Sequence, residues 1–105
     1  MRAIELKTTK LETGEAFAYK DVLMSKLRRH PNGITIEQME KIALPTIAKL
    51  TTASDTLYVE EQEYEYLTAR LAQPDWGIAD TAIVELMHDV KDAPKVDPTE
   101  LLAKK

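Results

Sequence analysis

Tyr19 stands where the spacing of the apolar residues changes, and that change limits the chain to a fold mixing strands with helices. Before it, Ile4 and Leu6 alternate with polar neighbours, and in Glu15-Ala16-Phe17-Ala18-Tyr19 the two aromatic rings fall on one side. A period of two is that of half-buried strands. Thr13-Gly14 lies between the two runs, and glycine reaches the positive φ that tight hairpin turns require. The reading is an N-terminal β-hairpin. From Tyr19 onward, Tyr19, Val22, Leu23 and Leu27 share one face of a helix while Lys20, Asp21, Lys26 and Arg28 point elsewhere.

Proline and glycine punctuate the rest of the chain. His30-Pro31-Asn32-Gly33 ends the first helix, because a residue before proline avoids helical backbone and Asn-Gly favours a turn. Thr35-Ile36-Glu37-Gln38 then has the pattern of a capping box, in which Thr and Gln satisfy two orphan amides reciprocally. Ile34 and Met39 are spaced for a hydrophobic staple, and Ile36, Met39, Ile42 and Ala43 are expected to continue the buried face. Pro45 suits the first position of a helix better than its interior, so a break is expected at Leu44, with a kink as the alternative, followed by a short third helix carrying Ile47 and Leu50.

Ser54-Asp55 reads as a turn and Thr56-Leu57-Tyr58-Val59 as a short strand. Glu60, Glu61, Glu63 and Glu65 crowd the start of a fourth helix, where negative charge complements the helix dipole, and Tyr64, Leu67 and Leu71 form its buried face. Pro74-Asp75-Trp76-Gly77 closes it, and Asp80 caps a last helix that buries Ile83, Leu86, Met87 and Val90. The expected fold is mainly α, of α+β class, as one domain over residues 1–93. It has an N-terminal hairpin, about five helices and a short strand before the fourth. Residues 94–105, with Pro94, Pro98 and Lys104-Lys105, read as a loosely ordered tail.

A chain of 105 residues supports one core. It has no cysteine, which excludes disulfides, thiolate nucleophiles and thiolate metal ligands and fits a reducing compartment. Met1 to Lys7 lacks the apolar stretch of a signal peptide, and no apolar run approaches the roughly 20 residues of a membrane span. The expectation is a cytoplasmic protein with no membrane partner. Its net charge of −4 is unevenly spread: residues 1–50 carry nine Lys/Arg against six Asp/Glu, and residues 51–105 carry five against twelve. An acidic balance disfavours nucleic acid, while the asymmetry favours self-association or a protein partner.

No catalytic, metal or cofactor site is expected. His30 and His88 lie in different elements, and Glu85-Leu86-Met87-His88 supplies the Glu-x-x-His spacing of di-iron bundles once, where such sites need it twice. Ser25 and Ser54 are outside any nucleophile elbow, and Gly14, Gly33 and Gly77 are too scattered to cradle phosphate. The acidic cluster lacks a calcium-loop pattern. Lys26, Arg28, Arg29 and His30 form a basic cluster at a helix C-terminus, where the dipole favours cations. Tyr58, Tyr64, Tyr66 and Trp76 gather four of the six aromatic residues in one stretch. On a helix Tyr64 and Tyr66 cannot both face the core, and Tyr and Trp are enriched at interfaces. These four are the expected partner-binding residues of a non-catalytic interaction or assembly protein.

Two resemblances add to this reading. The order of a helix, a capped helix after Gly33-Ile34-Thr35, a short helix after Pro45 and the strand Thr56 to Val59 is similar to a winged helix-turn-helix. That likeness implies a DNA-binding regulator whose third helix reads bases, yet Pro45 to Ala53 offers only Lys49 as a cation and the wing runs into glutamates. Over residues 15 to 96, Tyr19-Lys20-Asp21-Val22-Leu23, Gly33 to Met39, Thr56 to Val59 and Trp76-Gly77-Ile78-Ala79-Asp80 look like small proteins of tailed-phage and prophage gene clusters. This resemblance implies a non-enzymatic accessory or assembly factor and assigns no functional residue.

Overall fold

A computed structural model describes residues 1–30, 33–74 and 76–96. The chain is α+β: β1 (Arg2–Glu5), β2 (Thr8–Lys10), β3 (Ala16–Ala18), α1 (Tyr19–Arg28), α2 (Ile36–Gln38), a π-helical turn (Met39–Ala43), α3 (Leu44–Thr52), β4 (Thr56–Val59), α4 (Glu61–Leu71) and α5 (Thr81–Lys91). The expected turn residues Pro31, Asn32 and Asp75, and residues 97–105 of the tail expected over 94–105, lie outside the described residues. No helix among the described residues is long and apolar enough to cross a membrane.

The N-terminal hairpin forms with a different first strand from the one its alternation suggests. β2 pairs with β3, Thr9 opposite Phe17, around a turn in which the Gly14 amide donates to the Leu11 carbonyl at 2.8 Å and Gly14 takes φ +93°. The Ile4/Leu6 run belongs to β1, which pairs antiparallel with β4, Ile4 opposite Leu57 and Ala3 opposite Tyr58. The long-range pairing wins because it seals the core: Ile4, Leu57 and Val59 are all buried, which stabilises by about 2 kcal/mol each. Pro94 to Val96 lie along the other edge of β1, with Ala3 donating to the Pro94 carbonyl at 3.1 Å and Val96 to the Met1 carbonyl at 2.8 Å. Among the described residues β1 is therefore central and β4 is an edge.

Tyr19, Leu23 and Leu27 of α1, Leu67 and Leu71 of α4, and Leu86 and Val90 of α5 close the core around this sheet. Asp80 caps α5 through the Ala82 amide at 2.9 Å. The capping box at Thr35 is complete, with Thr35 Oγ1 accepting from the Gln38 amide.

The helix expected to break at Leu44 instead continues from Ile36 to Thr52 through the π turn, so the second and third expected helices are one body. Proline has no N–H to give the Lys41 carbonyl, and in a regular α-helix its ring would press on that carbonyl. Loosening the preceding turn relieves both. The Leu44 amide donates to the Met39 carbonyl five residues back, and the Thr46 hydroxyl donates to the Ile42 carbonyl at 2.6 Å. The expected buried face holds at Ala43, with Ile42 half-buried, and fails at Ile36 and Met39. Ile36 and Met39 are 73% and 36% exposed, while Ala43, Thr46, Ile47 and Leu50 face the core.

Candidate partner-binding surface

The four aromatic residues marked by the sequence have separate surroundings. Tyr58 is exposed on β4. Tyr64 is buried; its hydroxyl donates to the Lys91 carbonyl at 2.6 Å, and the Arg2 guanidinium lies 4.5 Å above its ring. Two residues on, half-buried Tyr66 turns the other way, its hydroxyl 2.9 Å from His30 Nε2 and 3.2 Å from Nδ1. Burial pushes the Tyr66 phenol above its usual pKa, against the opposing influence of Arg70. Trp76 donates to the Leu71 carbonyl at 3.0 Å and carries the Lys26 ammonium 3.9 Å above its ring. Three of these rings are thus engaged in joining elements, and Tyr58 alone of the four is exposed.

The acidic cluster is likewise partly internal. Glu60 caps α4 in a box with Glu63. Glu63 itself is buried, accepting from the Glu60 amide at 2.8 Å and from Lys49 at 2.6 Å, with the Thr46 hydroxyl at 3.4 Å. Glu61 pairs with Arg2 at 2.9 Å. At the far end of α4 the Arg70 side chain is also buried, its Nε donating to the Arg29 carbonyl at 2.8 Å, so α4 fixes where α1 ends. On α5, Glu85 and Asp89 hold Lys7 at 3.4 and 3.0 Å, and His88 is exposed.

A concave apolar surface lies elsewhere, between the end of α1 and the helix after it. Beyond α1 the chain turns at Gly33, whose amide donates to the His30 carbonyl at 2.9 Å and whose φ of +82° suits glycine. His30 is held by the Leu27 carbonyl, 2.8 Å from Nε2. If that nitrogen carries the proton, Nδ1 is left to accept from Tyr66. The turn and the π segment enclose a groove of about 370 Å³ lined by Leu27, Ile34, Met39, Ala43, Leu44 and Ile47, with Arg28 and His30 at its margin. A smaller hollow of about 200 Å³ lies against the same turn, bounded by Gln38, Tyr66 and Gln73.

The π turn makes this groove one-sided. Residues five apart on a regular α-helix diverge by about 140°, whereas an i to i+5 hydrogen bond stacks them on one side. Met39 and Leu44 are so related, and Ile36, one α-turn before Met39, extends the row. All three are exposed, Leu44 at 49%. Regular helical spacing assigns Ile36 and Met39 to the core instead, and the one signal for the π turn in the sequence is Pro45 itself.

No protein-family model, curated protein or solved structure matches the chain.

Proposed function

We propose that the protein is a non-catalytic protein-binding module, and that the groove beside the π turn receives one face of an amphipathic, acidic helix from another protein. The observation that carries this reading is the pair Met39 and Leu44, large apolar side chains left in water on the lining of an apolar groove, with Ile36 exposed one turn before Met39. An apolar groove with exposed apolar rims is what receives the apolar face of an amphipathic helix, and methionine adapts its shape to a partner. Arg28 lines the groove and Arg29 is exposed beside it, which favours carboxylates on the incoming helix. An assembly or accessory role, as the phage-type resemblance implies, is a natural setting for such a module. The DNA-binding alternative has less support, because Lys49, the single cation of the helix in the recognition position, is paired with Glu63 at 2.6 Å.

The test is a fluorescence-polarisation titration with a designed helical peptide carrying Leu on one face and Glu on the other, beside a second peptide with Lys in place of Glu. The acidic peptide is expected to bind, and Met39→Glu or Leu44→Glu to weaken it at least about tenfold, the loss of roughly 1.4 kcal/mol, with the circular dichroism unchanged. Equal binding of both peptides, or indifference to both substitutions, overturns the proposal.

A further inference from the structure

Strand β4 has one edge satisfied by β1 and another edge that meets no strand among the described residues. Which of its main-chain groups face outward is set by the register. The Ala3 amide points away from β4, to the Pro94 carbonyl, so the Ala3–Tyr58 pair is the kind that exchanges no hydrogen bonds. The amides and carbonyls of Leu57 and Val59 turn inward to Ile4 and Arg2; those of Thr56 and Tyr58 turn outward. Neither Thr56 nor Tyr58 finds a main-chain partner on that side among the described residues.

The space beside this edge is open. A hollow of about 360 Å³ runs between β4 and the end of α3, bounded by Lys49, Thr52, Ala53, Thr56 and Tyr58. A broader one of about 550 Å³ lies over the exposed face of the β1–β4 pair, bounded by Ala3, Glu5, Asp55 and Tyr58. Unpaired donors and acceptors in a row, with room alongside, are what an added strand needs. Tyr58, 38% exposed, offers its ring to a cross-strand neighbour.

The charge around the edge selects the occupant. Glu5, Asp55 and Glu60 are exposed, and none of them has a salt-bridge partner among the described residues. A second copy pairing β4 with β4 antiparallel would bring Asp55 and Glu60 of one chain towards the same carboxylates of the other. Like charges across a strand pair are destabilising. An extended segment bearing lysine or arginine meets them favourably.

We infer that the outer edge of β4 is a second binding surface, independent of the groove, that adds an extended basic segment of another protein as a further strand. The main-chain groups of Thr56 and Tyr58 pair with it, and Glu5, Asp55 and Glu60 attract its cations.

The probe is a short acetylated peptide alternating Lys and Val, with an alternating Glu and Val peptide as counterpart, titrated into the full chain by amide NMR and amide hydrogen exchange. In the free protein the Leu57 and Val59 amides are expected to be protected and the Tyr58 amide to exchange fast. Adding the basic peptide should slow Tyr58, and the acidic peptide should bind at least about tenfold more weakly. Tyr58→Pro removes the outward N–H together with the ring, at an edge position where proline is tolerated, and should weaken binding of the basic peptide at least about tenfold. Tyr58→Thr keeps the N–H and should retain it; if neither variant folds, the protection of Tyr58 in the wild-type chain decides. Three results overturn the inference: no peptide binding, binding that leaves the Tyr58 amide fast, or a dimer by light scattering in which Tyr58 is already protected without peptide.

Discussion

The amide of Leu44 reaches the carbonyl of Met39, and that one bond decides which way the apolar side chains of the second helical body face. The turn is held open by Pro45, one residue further on, which cannot complete a regular ladder. A proline whose usual effect is to stop a helix here sets the angle between two of its faces.

Pro45→Ala restores the missing N–H and makes a regular α-helix available, in which Met39 swings away from Leu44. Far-UV circular dichroism should show more helix, and Tm should rise by about 5 °C, what roughly 1 kcal/mol is worth in a domain of this size. Binding of the acidic helical peptide should fall in the same variant. Unchanged binding would show that the row survives without the π turn.

Glu63 joins the α4 cap to α3, and its loss should be felt in both places. Glu63→Ala removes the acceptor for the Glu60 amide and the partner of Lys49, at a cost of about 1–2 kcal/mol. Urea denaturation should show a lower midpoint with the slope unchanged. Glu63→Gln keeps an acceptor and should recover part of the loss.

Tyr19 and Asp89 give the acid limb of the stability profile a specific origin. The Tyr19 hydroxyl donates to Asp89 at 2.6 Å, and this bond, with Lys7 second, holds the Asp89 carboxyl below its ordinary value. A depressed carboxylate contributes stability that is fully present above the unfolded pKa, about 3.9, and is lost as pH falls through the lower folded value. The phenol of Tyr19 shifts upward, mainly through burial, so its contribution is present below about pH 10 and lost as pH rises beyond that. In Tyr19→Phe both limbs should flatten, with about 1 kcal/mol lost at neutral pH. Chemical denaturation across the pH range measures both, and an unchanged acid slope would disprove the assignment.

Trp76 is the one tryptophan in the chain, which makes its contact with Lys26 observable. Lys26→Ala removes the ammonium 3.9 Å above the indole, so the emission maximum should shift and stability fall by about 0.5–1 kcal/mol. Lys26→Arg keeps a cation over the ring and should restore most of both.

The parts of the fold that were legible in the sequence are those with local causes. The change of period at Tyr19, the Thr35 cap and the Asp80 cap each depend on residues a few positions apart, and each stands where the spacing put it. The partner of β1 is over 50 residues away in β4, and nothing within the Ile4/Leu6 run distinguishes that strand from the nearer β3. The glutamates of α4 read as complements to its helix dipole, and only folding against α3 and α1 buries Glu63 and Arg70. Glu60 and Glu63 do have the spacing of a capping box, a signal that was present. Proximity in sequence grouped Tyr58, Tyr64, Tyr66 and Trp76, but helix geometry sends Tyr64 and Tyr66 apart. The groove was hidden for the converse reason, because the π turn moves Met39 out of the face that its regular helical spacing assigns.

The central position of β1 has a consequence for the order in which the chain takes shape. Arg2 donates to the carbonyl of Ala93, a separation of 91 residues, and the whole strand waits on β4 and then on Pro94 to Val96. During synthesis the β2–β3 hairpin and α1 can close on local contacts while β1 has no partner at all. One of its edges stays available to other chains until β4 has emerged and the other until nearly all the described residues have, and loop closure over such distances is slow. The same strand that finishes the domain is the one most vulnerable while the domain is being made.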